Sequence, residues 1–337
     1  MDEEQYSSGW DENYSFVHFL NESNVCEMGN YFTFYTHFTT VLYTLAFLLS
    51  LLGNTLVLWI LLKYENLTSL TNIFIMNLSV SDLVFSCMLP FWAVYQSFGW
   101  IFGEFLCKAV NAIFSIGYYS GVFSLTLMTI LRYLSVVNPL STLRSQTQYC
   151  RCLVCLFIWT CSILMVVPEI IHTTVTETLE EVSICDYDDW EWKKVDIYQR
   201  NILFLISFGI IVFCYINILI ILLGTRSRRK RRTVKLILVI VVAFFLSWAP
   251  YNILSFLITF PPSTCQYSND IHLAFHISRK IAFSHCCLNP VLYVFAGVKF
   301  KRHLFRLCSQ YLPCGDEVSS PRISSQGKFH YEDGSTY

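Results

Sequence analysis

The sequence predicts an all-α membrane protein, a bundle of seven transmembrane helices followed by a short amphipathic cytoplasmic helix. Three observations lead there. Only 14% of the 337 residues are charged while 54% are hydrophobic and 17% aromatic, against roughly 25% charged in a soluble domain. Seven mainly apolar runs reach the length of about 20 residues that crosses ~30 Å of hydrocarbon as a helix. Nearly all charge falls between those runs, so the net charge of −1 conceals opposing local fields.

Residues 1–37 read as an extracellular acidic arm. Asp2, Glu3, Glu4, Asp11, Glu12, Glu22 and Glu27 lie there without a lysine or arginine, and such an arm attracts a basic partner over a range that salt screens. The plainer alternative is a solvated tail. Tyr6 in "DEEQY" and Tyr14 in "DENY" are sulfation candidates, and Asn13 in "NYS" and Asn21 in "NES" are glycosylation acceptors. "NLT" at Asn66 and "NLS" at Asn77 fit that pattern on the wrong side or inside a span and are rejected.

The spans are predicted at 38–62, 71–95, 106–131, 152–171, 201–223, 234–260 and 274–297, together one bundle over 38–297. Cations follow on alternate connections: Lys63; Arg132, Arg144 and Arg151; Arg226, Arg228, Arg229, Lys230, Arg231, Arg232 and Lys235; Lys299, Lys301, Arg302 and Arg306. The positive-inside rule then places the N-terminus outside and the C-terminus in the cytosol. No basic n-region with a short apolar core opens the chain, so no cleaved signal peptide is expected. Residues 298–308, within "VKFKRHLFRLC", read as an amphipathic helix on the membrane surface. Residues 309–337 are Ser-rich, lack apolar periodicity and read as a disordered cytoplasmic tail. The basic cluster at 226–235 suits anionic lipid headgroups, about 1 kcal/mol per cation, and the loop is too short for a nucleic-acid patch.

Four of the fourteen cysteines, Cys26, Cys107, Cys185 and Cys265, fall in predicted extracellular positions, where disulfides persist. Four cysteines allow three pairings, and spacing does not choose among them. The others read as small packing residues. Metal chelation by His285, Cys286 and Cys287 is disfavoured, because consecutive helical side chains point about 100° apart.

Polar residues inside spans carry the functional signal. Asp82 is expected to be the only carboxylate deep in a span, where it costs about 2.5–3.5 kcal/mol. A polar staple between helices is the structural alternative to a functional role. Asn54, Asn77 and Asn289 also fall in spans and are expected to share a hydrated cavity with it. Pro90, Pro168, Pro250 and Pro290 are expected to kink their helices, and Trp248 and Tyr251 flank one kink in "FFLSWAPYN". A transporter would show several intramembrane charges and paired halves. An enzyme would show a converging nucleophile, base and orienting group. Neither pattern is found.

Gly53 with Asn54, "NLSVSD" ending at Asp82, Cys107, Arg132 with Tyr133, Trp159, "WAP" at 248–250 and "NPVLY" at 289–293 resemble the seven signature elements of rhodopsin-like (class A) G-protein-coupled receptors. Within that family "LPFWA", "GWIFGEFLCK", "WAPYN" and "HCCLNPVLY" are similar to chemokine receptors, as is the Cys26 and Cys265 pair. "RYLSVVNPLSTLR", "AFSHCC", "VFAGVKF" and the closing "YEDGSTY" resemble the XC-type members, whose ligand is lymphotactin. A light-driven protein of the same fold would need a lysine where Phe283 stands, and Lys280 is about a turn away.

The resemblance implies a chemokine ligand meeting Tyr6, Tyr14, Trp92, Trp100, Tyr251, His276, Arg279 and Lys280. It implies disulfides Cys107 to Cys185 and Cys26 to Cys265, and a switch of Asn54, Asp82, Trp248, Asn289, Pro290 and Tyr293 with an allosteric sodium ion at Asp82. His285 would sit above that cluster as an interhelical contact. Coupling through Arg132, Tyr133 and Tyr215 to an inhibitory-class heterotrimeric G protein is implied, with calcium signalling and chemotaxis. So are receptor kinases and arrestin at Ser319, Ser320, Ser324 and Ser325, and palmitoylation candidates Cys308 and Cys314. Three positions depart from the family: Leu131 replaces the aspartate before Arg132, Ser207 replaces a proline of the fifth helix, and Arg279 replaces a glutamate. The first implies raised basal signalling or, alternatively, a decoy that internalises ligand without G-protein coupling. XC-type receptors share it, which favours signalling. Arg279 and Lys280 imply a differently read ligand, or else pairing with Asp270 or the acidic second loop.

Overall fold

The computed structural model describes residues 28–65, 67, 69–137, 148–177, 182–223, 228–260 and 265–296. Tyr6, Asn13, Tyr14, Asn21, Cys26, Cys308, Cys314 and the serines of the tail lie outside them, as do the side chains of Cys265, Asp270 and Tyr293. The elements in order are α1 (Met28–Tyr64), α2 (Leu70–Ser86), α3 (Leu89–Phe98), α4 (Gly103–Val137), α5 (Gln148–His172), β1 (Thr173–Glu177), β2 (Ser183–Tyr187), α6 (Trp190–Leu223), α7 (Arg228–Ile258), α8 (Cys265–Phe283), a 3₁₀ turn (Ser284–Cys287) and α9 (Leu288–Ala296). Six stretches among the described residues are helical, long and apolar enough to cross a membrane, with α2 and α3 counted as one. The seventh crossing is α8, the 3₁₀ turn and α9 in series. The result is the seven-helix bundle that the apolar runs predict.

Helix ends outrun the hydropathy windows. α1 begins at Met28, ten residues inside the segment assigned to the arm, and α6 begins at Trp190, eleven residues before the expected start at 201. A hydropathy window stops at charges, whereas a helix continues wherever those charges find partners. In α6, Lys193, Asp196 and Arg200 are paired within the protein.

The prolines act in different ways. Pro168 and Pro250 lie inside helices. Pro90 sits in the first turn of α3, where its missing N–H costs nothing, and the second span breaks just before it, at Cys87 and Met88. Pro290 produces the 3₁₀ turn. It cannot donate to the carbonyl four residues back, that of Cys286, and Asn54 Nδ2 of α1 takes that carbonyl instead at 2.9 Å. Gly53 makes the approach feasible, since a Cβ there would stand 2.8 Å from Pro290 Cβ and Cγ. The glycine and asparagine of the first span and the asparagine and proline of the seventh thus form one interlocking contact. α6, where Ser207 replaces the proline, runs unbroken.

One end of the bundle carries an element the α-only prediction missed. β1 and β2 pair antiparallel with Val175 opposite Cys185. The hairpin is tied to α4 by the Cys107 to Cys185 disulfide, to α3 by Cys185 N donating to Tyr95 Oη at 3.1 Å, and to the α3–α4 connection by Trp100 N donating to Ser183 O at 2.7 Å. Gly99 before Trp100 has φ +72°, a region open to glycine at low cost. "TTVTE" and "SICDY" do contain alternating β-branched or apolar residues, a period-2 signal too short to stand alone.

The core between the helices is aromatic. Phe85, Phe114, Tyr118, Phe244, Trp248 and Phe283 are buried and in mutual ring contact. α2 and α4 approach closely at Gly117, where an added Cβ would lie 2.9 Å from Phe85 Cβ and 3.0 Å from its backbone nitrogen. Gly117→Ala is expected to destabilise the purified protein by about 1–3 kcal/mol, because the obstruction includes backbone that cannot rotate away. Gly121→Ala, whose Cβ would meet nothing nearer than 3.8 Å, should be nearly neutral. A thermal-unfolding comparison of the two variants in one detergent checks this.

Candidate functional site

Two polar regions interrupt the core, one deep in the bundle, labelled the inner region, and one at the end that carries the hairpin, labelled the outer region. The inner region joins α1, α2, α4 and the seventh crossing. Asp82 is 1% exposed, and its Oδ2 accepts from Asn289 Nδ2 at 2.7 Å. His285 Nδ1 donates to Ala282 O at 2.7 Å, which leaves Nε2 facing Asp82 Oδ1 at 3.6 Å. Beside it Ser120 of α4 donates to Ser81 of α2 with Oγ to Oγ at 2.7 Å, and Ser81 donates to the Asn77 carbonyl at 2.9 Å. Asn54 Nδ2 reaches Ser50 as well as Cys286, while its Oδ1 is buried without a partner. His285 therefore lies against Asp82 as an interhelical contact, and Cys286 is a buried packing residue. Asn77 is not part of this cluster. It bonds Ile73 O and accepts from Trp159 Nε1 at 3.1 Å, which makes it a staple between the second and fourth spans.

A hard monovalent cation needs oxygen donors. The Asp82 carboxylate and the unpartnered Asn54 Oδ1 are oxygen donors of that kind, and His285 Nε2 lies 3.6 Å from Asp82 Oδ1. Among the described residues there is no group of three or more His, Cys, Asp and Glu able to hold a metal ion.

The outer region is a cavity of about 90 Å³ whose walls include Trp92, Asn111, Glu169, Tyr187, Tyr251 and Arg279. Here a second carboxylate is buried, three residues before the end of α5. Glu169 of α5 is 5% exposed and Arg200 of α6 is 8% exposed. Arg200 Nη2 donates to Glu169 Oε1 at 3.2 Å and to Ser115 Oγ at 2.9 Å, while its Nε donates to Asp196 Oδ1 at 2.9 Å. Lys193 pairs with Asp186 at 2.6 Å. Burial, with the carboxylates of Asp196 and Glu169 beside it, holds the Tyr187 phenol above the usual tyrosine range. The signal for this cluster was Glu169 directly after Pro168 near the end of an apolar run, with Asp196 and Arg200 at i, i+4 spacing. A span that starts at 201 leaves out Asp196 and Arg200, the partners of Glu169.

Of the residues expected to meet ligand, Trp92, Tyr251 and Arg279 line this cavity. The other three within the described residues are not on its walls. Trp100 is buried under the hairpin, its Nε1 donating to Gly103 O at 2.8 Å. His276 is buried beside Phe275. Lys280 lines a separate cleft of about 460 Å³ with Phe38 and Leu42 of α1 and Ser284. Arg279 carries its guanidinium 5.9 Å over the Phe275 ring.

The two regions meet through rings. Tyr251 contacts Trp248 with centroids 5.7 Å apart, and Trp248 contacts His285 at 5.1 Å. Trp248 Nε1 is buried without a partner. At the inner end, Arg132 donates to Thr71 Oγ1, Tyr133 meets Phe213 at 6.0 Å, Tyr215 is buried, and Leu131 packs against the apolar core.

A bundle with this inner cluster and a disulfide-tied outer hairpin defines a class of membrane receptor, and the model of the seven-transmembrane receptors of the rhodopsin family matches residues 53–293. The chain is 51% identical to Chemokine XC receptor 1 of Homo sapiens, over 98% of this chain and 99% of that protein. It is 50% identical to Chemokine XC receptor 1 of Mus musculus over 94% and 96%, and 36% identical to C-C chemokine receptor type 8 of Homo sapiens over 80% and 79%. The chain belongs to the chemokine receptors of the rhodopsin family, which are multi-pass membrane receptors and not enzymes.

Arg200→Leu should leave Glu169 and Asp196 buried without their cation, a loss of about 3–5 kcal/mol for a broken buried pair. Most of that variant is expected to be retained inside the cell, which surface labelling against total receptor measures. Arg200→Lys should recover only part, since an ammonium cannot reproduce the forked geometry.

Proposed function

We propose that the chain binds an extracellular chemokine, lymphotactin, and activates an inhibitory-class heterotrimeric G protein, driving calcium signalling and chemotaxis. The observation that carries this is the identity of 51% with a chemokine XC receptor over 98% of the chain. In this reading the receptor sits in the plasma membrane with its N-terminus outside. The disulfide of Cys107 and Cys185 supports that orientation, because such bonds persist in oxidising compartments. Residues 1–37 form the acidic arm, where Tyr6 and Tyr14 are sulfated, Asn13 and Asn21 are glycosylated, and Cys26 pairs with Cys265. Residues 298–308 lie on anionic lipid, anchored through Cys308 and Cys314, and residues 309–337 take kinases and arrestin.

The ligand inserts a segment among Trp92, Tyr251 and Arg279, with Trp100, His276 and Lys280 shaping the surrounding wall. Displacement of Tyr251 shifts Trp248, whose buried N–H holds it to no partner, and thereby loosens His285 and the contact of Asp82 with Asn289. A sodium ion at Asp82 would stabilise the resting arrangement by pairing that carboxylate. Pro290 and Tyr293 then repack, and the cytoplasmic ends open so that Arg132, Tyr133 and Tyr215 meet the G protein. Uncoupled internalisation of ligand is the second reading, since Leu131, which leaves Arg132 bonded to a hydroxyl of Thr71, is as compatible with a decoy as with raised basal signalling.

Cells expressing the receptor should lower cyclic AMP and migrate towards lymphotactin, and should ignore other chemokines of a panel. Ligand uptake without either response would establish the second reading. Leu131→Asp should place a carboxylate beside Arg132 and lower ligand-independent signalling several-fold, read as basal GTPγS binding at matched surface expression.

A further inference from the structure

Arg279 and Lys280 are adjacent in α8, yet they face different spaces. Arg279 stands on the wall of the outer cavity. Lys280 stands on the wall of a cleft of about 460 Å³, to which α1 gives Phe38 and Leu42, α7 gives Ser247, and α8 with the 3₁₀ turn and α9 gives the remainder. That volume falls within the roughly 300–1,000 Å³ of small-molecule sites. Ile277, Ile281 and Leu288 on its walls are exposed, and on a membrane crossing exposed apolar side chains face lipid while ionisable ones turn inward. Lys280 is accordingly enclosed, at 6% exposure. The cleft opens towards acyl chains rather than towards water.

The polar groups on these walls select the kind of guest. Ser247 Oγ donates to Ala243 O at 2.8 Å and Ser284 Oγ donates to Lys280 O at 2.8 Å, so both hydroxyl protons are committed to backbone and the two serines offer acceptors. Lys280 is the donor among the lining residues. An ammonium carries three N–H groups, so it can keep its contact within the bundle and donate to a guest as well. The walls therefore suit a long apolar molecule headed by an acceptor. A sterol hydroxyl would be served by either serine without the lysine, whereas a carboxyl needs the lysine.

Depth separates one-chain from two-chain lipids. Lys280 lies six residues inside the expected start of the seventh span at 274, about 9 Å along a helix. A phosphodiester keeps its charge and stays at the bilayer surface, while a carboxyl can sink in neutral form and take up charge only where a cation meets it. We propose that this cleft binds a single-chain fatty acid from the surrounding bilayer, its carboxyl accepting from Lys280 and its chain lying along Ile277, Ile281 and Leu288. The site is independent of which chemokine the receptor binds.

The test uses the full-length receptor in nanodiscs of zwitterionic phospholipid and oleic acid carrying a diazirine in its chain, with crosslinked peptides mapped by mass spectrometry. Labelling should fall on α1 and α8, and unlabelled oleic acid should displace it. A charge-assisted hydrogen bond corresponds to roughly 10- to 100-fold in affinity, so oleyl alcohol, with the same chain and no carboxyl, should compete more weakly by that factor. Lys280→Gln should erase the preference for acid over alcohol, and Lys280→Arg should keep it. Ile281→Trp fills the cleft from its lipid side with Lys280 in place and should abolish the labelling, whereas Leu205→Trp, at an exposed position of α6, should leave it intact. Equal competition by acid and alcohol would overturn the proposal, as would stronger displacement by cholesterol than by oleic acid, an acid preference that persists in Lys280→Gln, or labelling that survives Ile281→Trp. The alcohol comparison and Ile281→Trp remain decisive if Lys280→Gln does not fold.

Discussion

A proline within a membrane-crossing helix frees a carbonyl that lipid cannot satisfy, and much of this bundle follows from how that carbonyl is answered. An unpaired backbone group in hydrocarbon costs several kcal/mol. The carbonyl is that of Cys286, and the donor is Asn54. Bringing it there requires the first and seventh crossings to touch, which Gly53 permits against the Pro290 ring. Once they touch, the 3₁₀ turn sets Asn289 on Asp82 and His285 beside it. One missing N–H thus fixes the register of three crossings and the position of the inner polar cluster.

The same rule operates at the outer end with charges in place of a carbonyl. Arg200 is suited to that place because its planar fork offers several donors in fixed directions, and it uses them on three separate residues, Ser115 of α4, Glu169 of α5 and Asp196 of its own helix. Between the two polar regions lies a layer of rings. Close-packed layers switch between discrete arrangements more readily than they deform continuously. Trp248 is the member in contact with both sides, through Tyr251 and His285, so a change in either region is felt there first.

The crossings were legible because membrane thickness imposes a length on every span. Their ends were not, since helices continue past the hydrocarbon wherever charges are paired, as α6 does through Lys193, Asp196 and Arg200. Asp82 was legible as a costly residue, and the resemblance supplied the cysteine pair that Cys107 and Cys185 form. Glu169 was lost because its expense is hidden by an arginine 31 residues later in sequence, a partnership that composition cannot express. Lys280 was grouped with Arg279 as a neighbour, yet adjacent helical residues point about 100° apart and the two line different clefts. Asn77 was grouped with Asp82 for the same kind of reason, and instead bonds Trp159.

The inner end bears on how a resting state is held. Arg132 is restrained by a neutral hydroxyl of Thr71, whereas Leu131, at the position of the usual carboxylate, contributes only apolar packing. A bond between a cation and a hydroxyl is weaker than one between a cation and a carboxylate. Freeing Arg132 from that hydroxyl is correspondingly cheaper than breaking an ion pair would be. The buried contacts that tie the crossings together lie elsewhere in the bundle, in Asn54 on the Cys286 carbonyl and Asn289 on Asp82.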